Sequence, residues 1–243
     1  MRSYVTPLII AAAIIISVLV AAATLKYKFR STETVSVTGS SEKDFMSDQI
    51  VWKGTFTRTG FDLKTVYAAL KSDENDIRQY LNAAGIKDSN ILFSSVDVMR
   101  NYETRFDDNG RVAGSAFNGY TLNGTVTVDS RDIPVVEKLS REITVLLQKG
   151  IELNSTRPSY YYSGLNTLKI DLLARASKDA QQRAESIAEN SGASLGSLRK
   201  ANMGVFQIIG KNSNEDYSYG GAFNTSSKEK TATITVRVDY ELE

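Results

Sequence analysis

Neither cysteine nor histidine occurs anywhere in the 243 residues. Without them there is no disulfide framework, no thiol nucleophile, no Ser-His-Asp triad and none of the usual ligand sets for zinc, haem or iron–sulfur clusters. Carboxylates, Lys, Tyr, Ser and Thr remain to carry any chemistry. The missing cysteines do not fix a compartment, because a reducing cytosol and an envelope protein with a sufficient core can both do without disulfides.

A dense basic stripe is missing too. Lys and Arg number 29 against 28 Asp and Glu; four of the basic residues lie in residues 1–30, which leaves 25 against 28 for the rest. That mildly acidic remainder lacks the basic face, interleaved with aromatics, that would release counterions from phosphate, so no nucleic-acid partner is expected. Gly204, Gly210, Gly220 and Gly221 lack the strand-to-helix setting and spacing of a phosphate cradle and read as turn glycines. No cofactor is expected.

What the chain does have is one long apolar run. Residues 8–25 are eighteen consecutive apolar or small positions, counting Ser17 and Thr24. That is about the minimum for crossing a hydrocarbon core of roughly 30 Å. Tyr4, Tyr27 and Phe29 flank it as interfacial aromatics, with Lys26, Lys28 and Arg30 beyond. The expectation is a single transmembrane helix contacting lipid through Leu8, Ile14, Val18 and Leu25, in a membrane anchor and tether at 1–33. The competing reading is a cleaved export signal, since Arg2 supplies a basic start and Ala21–Ala23 a cleavage site. Flanking charge alone would leave the large domain in the cytoplasm, because basic residues are heavier after the run.

Residues 34–243 read as one α+β domain of mixed strands and about three amphipathic helices. Thr34–Ser40 and Asp48–Thr59 alternate as half-buried strands, with Ile50, Trp52 and Thr55 or Phe56 as core candidates. Asp62 caps a helix with the stripe Leu63, Val66, Leu70, Ile77, Leu81 and Ala84, ended by Gly85. A hairpin follows around "DDNGR", then a helix from Asp132 with Pro134 in its first turn, running to Gly150. "IELNSTRPSYYYS" reads as a strand. The next helix carries Leu165, Leu168, Leu172, Ala176, Ala180, Ala184, Ile187 and Ser191; its alanine-rich middle implies a close neighbour. "SLRKANMGVFQIIG" and "TATITVRVDYELE" read as closing strands around a polar loop, 211–230, of a length that is usually mobile or functional.

Three acidic pairs, Asp73–Glu74, Asp107–Asp108 and Glu215–Asp216, could bind a hard cation or act as acid and base, yet each sits in a polar turn or on a helix surface and reads as solvated. Lys178 and Arg183 among Asp179 and Glu185 read as a solvated helix face. Tyr160, Tyr161 and Tyr162 form the candidate subunit interface, although a strand must turn the middle ring away from the other two. "RPSYYYS" and "VRVDYELE" also offer strand edges that a neighbour could pair.

Five phrases in order resemble the SIMPL-domain family of bacterial envelope proteins. They are "VSVTGSSEKDFMSDQIVWKGTF", "AAGIKDSNILFSSVDVMRNYE", "GYTLNGTVTVDSRDIPVVEKL", "LLARASKDAQQRAESIAENSGASLGSL" and "ATITVRVDYELE", and they span residues 34–243. The resemblance implies an α+β domain, export across the inner membrane, ring or cage-like homo-oligomers in some members, a link to oxidative stress in some, and no established catalytic residues. The chain departs from many members in its long apolar run and its polar 211–230 loop. Taken together, the expectation is a non-enzymatic, single-pass inner-membrane protein with its domain in the periplasm, assembling with itself as a scaffold or in stress. A periplasmic stress protein freed by signal cleavage is one alternative and a carboxylate- or Tyr-dependent enzyme another; other protein partners are not specified by any motif.

Overall fold

A computed structural model describes residues 5–28, 33–215 and 220–243. In chain order the elements are α1 (Val5–Lys28), β1 (Thr34–Met46), β2 (Gln49–Gly60), α2 (Leu63–Ala83), β3 (Ile91–Phe93), β4 (Asp97–Phe106), β5 (Val112–Ser130), α3 (Ile133–Glu142), β6 (Glu152–Ser155), β7 (Ser159–Tyr161), α4 (Leu165–Asn190), β8 (Leu195–Met203), β9 (Gln207–Gly210) and β10 (Glu229–Leu242). Contacts group them into two compact units, one of Met1–Ser40, Arg175–Gly204 and Thr235–Glu243, the other of Ser41–Ala174 and Val205–Ile234.

The mixed α+β content stands, but the membrane span does not. Among the described residues no helix is long and apolar enough to cross a membrane. Of the four expected lipid contacts, Ile14 and Val18 are exposed; the side chains of Leu8 and Leu25 lie outside the described residues, as does most of the expected tether.

The larger unit is built on a six-stranded sheet in the order β3-β5-β2-β6, with β4 also paired to β5 and β7 also paired to β2. The β2–β5 ladder is long and antiparallel, from Ile50↔Ser130 to Gly60↔Tyr120. Period-two alternation puts Ile50, Trp52, Phe56, Leu122, Val126 and Val128 on one buried face. Helix α2 covers that face with Val66, Leu70, Ile77 and Leu81, all buried. It begins at Asp62, whose side chain accepts from the Thr65 N–H at 2.8 Å, and stops before Gly85, whose φ of 94° is left-handed.

Helix α3 starts where expected, capped by Asp132, but its α-helical part ends at Glu142 and residues 143–149 tighten into a 3₁₀ turn. Ile143, Thr144 and Val145 are a β-branched run, which loses side-chain freedom in an α-helix. The expected strand 151–163 likewise splits into β6 and β7 on either side of Pro158, which has no N–H for a ladder.

In the smaller unit, β10 from Thr235 onward pairs antiparallel with β8, from Val236↔Met203 to Leu242↔Leu195. The alanine stripe of α4 meets the close neighbour its composition implied. Ala176, Ala180, Ala184 and Ala188 are fully buried, and a Cβ on Gly39 of β1 would fall 2.2 Å from the Ala176 carbonyl oxygen and 2.4 Å from the Ala180 nitrogen. The closing strand is not a spare edge: β10 lies between β1 and β8 in its sheet order.

Candidate functional site

The β2 ladder stops at Gly60↔Tyr120. Past that point β4 and β5 continue alone as a two-stranded ribbon, paired from Tyr102↔Phe117 to Phe106↔Val112. The tip is closed by Asp107, whose carboxylate accepts from the Asn109 and Arg111 N–H groups at 2.9 and 2.8 Å, while Gly110 takes a φ of 74°. Asp107 is thus a turn-former, as its polar surroundings suggested.

The face of the ribbon that continues the core face is exposed and rich in aromatic and apolar side chains, interrupted by Arg100 and Thr104. Val98 opposes the buried Leu122, Arg100 opposes Tyr120, and Tyr102 opposes Phe117. Phe117 stacks edge-on against Tyr120, Tyr102 and Phe61, with ring centroids 5.1, 6.1 and 6.5 Å away. Tyr102, Phe106 and Val112 are 59, 63 and 68% exposed. An isolated two-stranded ribbon is at best marginally stable in water, and a contiguous exposed aromatic surface marks a place where something docks.

A second polar assembly sits at the end of the 211–230 loop. Lys230 is almost wholly buried and donates from Nζ to the carbonyl oxygens of Tyr160, at 2.7 Å, and Asn224. Asn224 donates from Nδ2 to Glu215 and accepts from the Ser227 N–H at 2.8 Å. Burial pulls the Lys230 ammonium down to about 8, against a smaller opposing pull from Glu215. The Tyr160 hydroxyl donates to Glu137 at 2.9 Å, and burial, then that hydrogen bond, pushes it up to about 12. The two buried polar side chains here, Lys230 and Asn224, are both satisfied by these contacts; Asp216 of the expected acidic pair lies outside the described residues.

The three tyrosines are not one exposed patch. Tyr160 packs on the core, Tyr162 lies against Phe45 with centroids 4.9 Å apart, and Tyr161 alone is exposed, opposite Gln49. Asp73 is not solvated: it is buried and held by Arg58. Arg183 binds Asp179 at 2.9 Å, and that carboxylate also accepts from the Ser40 N–H at 2.8 Å. A polar cleft of about 640 Å³ contains Gln49, Asp129, Arg131 and Asp132, but Asp129 is engaged by Gln49 at 2.7 Å and Asp132 caps α3. Among the described residues no group of three or more acidic side chains gathers as a metal shell requires. The bare ribbon is not visible in the sequence because its two strands alternate like any hairpin; that no further strand among the described residues pairs with β4 is a tertiary fact.

One family model matches the chain, over residues 35–241; its description is SIMPL, protein of unknown function (DUF541). No curated protein matches.

Proposed function

The chain belongs to the SIMPL family, and on that premise we propose that it is a non-enzymatic protein of the bacterial envelope, acting in the periplasm as a self-assembling scaffold. The observation that carries this reading is the bare two-stranded ribbon with Tyr102, Phe106, Val112 and Phe117 on its surface. Packing such ribbons between copies would cover their apolar face and supply the neighbours that the ribbon lacks. Closed symmetry would let every copy be satisfied at once, giving a ring or cage-like homo-oligomer. The apolar run 8–25 then serves as an export leader, with Ala21–Ala23 as its cleavage region. A link to stress tolerance would be indirect, through what the scaffold holds.

The test is the mass of the full chain in solution across a wide concentration range. A large discrete assembly is expected, and Phe106→Ser with Val112→Ser should shift it to smaller species with an unchanged circular dichroism spectrum. A wild-type monomer at every concentration would sink the reading.

A further inference from the structure

We propose that β4 is the edge through which two copies of this chain join, antiparallel to β4 of a second copy about a two-fold axis at Thr104. This rests on the assembly reading and adds the partner strand and its register. Among the described strands β4 pairs with β5 alone, so its other edge carries unpaired backbone groups. The ladder has two irregularities, one between Arg100↔Tyr120 and Tyr102↔Phe117, the other between Arg105↔Gly114 and Phe106↔Val112. In both, the extra residue belongs to β5. The outer strand is therefore regular along its ten residues, DVMRNYETRF, without the Pro, Gly, Lys or bulge that commonly guards an edge.

Its exposed charges select the register. Two-fold antiparallel pairing centred on Thr104 sets Glu103 opposite Arg105 of the second copy, and by symmetry Arg105 opposite Glu103. It brings Arg100 toward Asp108 just past the strand end. On the face that also carries Arg100 it sets Tyr102 opposite Phe106, so the aromatic surfaces of the two ribbons become continuous. Opposite charges and aromatic pairs directly across a ladder are favourable, like charges unfavourable. A centre at Arg100 or at Glu103 puts that charge against its own copy. Centring on Tyr102 opposes Asp97 to Asp107 and Met99 to Arg105, and centring on Asn101 opposes Met99 to Glu103. Of these centres, the one at Thr104 joins opposite charges and aromatic pairs in the same register.

The absence of cysteine makes the register directly readable. Thr104→Cys introduces a single thiol per copy at the axis, where antiparallel partners sit about 4.5–5.5 Å apart at Cα, within disulfide reach. Mild oxidation of the full chain should convert most of Thr104→Cys to a covalent dimer, and little of Val98→Cys. Independently, Glu103→Arg should shift the assembly toward smaller species, and adding Arg105→Glu, which exchanges the two charges, should restore it. Should the wild type assemble while Thr104→Cys cross-links no better than Val98→Cys and the charge exchange restores nothing, the β4 pairing is overturned and the assembly reading survives. A wild-type monomer overturns both.

Discussion

Arg58 grips the buried carboxylate of Asp73 with two nitrogens, Nε at 2.5 Å and Nη2 at 2.7 Å, tying strand β2 to the inner face of helix α2. That hydrogen bonding, together with the opposite charge, raises the Arg58 guanidinium further, against a smaller opposing effect of burial. Since Asp73 is buried while Arg58 keeps partial solvent access, removing the arginine is the more damaging change. Arg58→Ala should lower stability by about 2–4 kcal/mol by stranding a carboxylate in the core. Asp73→Leu added to it should recover much of the loss. Chemical denaturation of both variants checks this; equal stability of Arg58→Ala and wild type would refute it.

Stability above neutral pH should reflect Lys230 and Tyr160 in opposite senses. Lys230 titrates at about 8 in the fold against an ordinary 10.5, so between those values the unfolded chain holds more protons and stability rises with pH. The handicap of the buried charge is complete below about 8. Tyr160 is raised from 10.0 to about 12, so its contribution is whole below 10 and is lost as pH climbs toward 12. Melting temperature should therefore increase from pH 8 toward 10. Lys230→Met should flatten that rise, and Tyr160→Phe should soften the fall that follows. Identical pH slopes for wild type and Lys230→Met would rule out this account.

Gly39 should tolerate no side chain. The Cβ of Gly39→Ala would meet backbone atoms of Ala176 and Ala180, which cannot swing aside as a flexible side chain could. A loss of about 1–3 kcal/mol is expected from overpacking, read as a lower unfolding midpoint. The alanine to valine change at Ala180 should act alike.

The single tryptophan reports on the larger core. Trp52 is fully buried and donates from its indole nitrogen to Ser155 at 2.9 Å, which in turn donates to the Ser140 carbonyl oxygen at 2.8 Å. Fluorescence should be blue-shifted in the native state. Ser155→Ala leaves the indole N–H unpaired and should cost about 1–3 kcal/mol; an unchanged unfolding curve would contradict the hydrogen-bond relay.

Local chemistry was the legible part of this chain. Asp62 as a cap, Gly85 and Gly150 as stops, "DDNGR" as a turn and the alanine stripe of α4 all follow from neighbours within a few residues. What the sequence concealed was non-local. Asp73 reads as a helix-surface acid until Arg58, on a different element, is found beside it. The closing strand reads as an edge until β1 and β8 are seen to flank it. Ile143–Val145 and Pro158 were local signals, but their effect, a tightened helix end and a divided strand, depends on competition with packing. The apolar run 8–25 has the length of a span in sequence, yet among the described residues no helix is long and apolar enough to cross a membrane.

The ribbon of β4 and β5 also has an arithmetic of its own. Because side chains alternate with a period of two, adding or deleting residues in matched pairs on both strands would lengthen or shorten it by about 7 Å per step while keeping every aromatic on its face. A change of one residue would turn the apolar stripe over. The reach of the ribbon can thus drift among descendants of this sequence in whole steps, with the core anchored at Gly60 and Tyr120 left undisturbed.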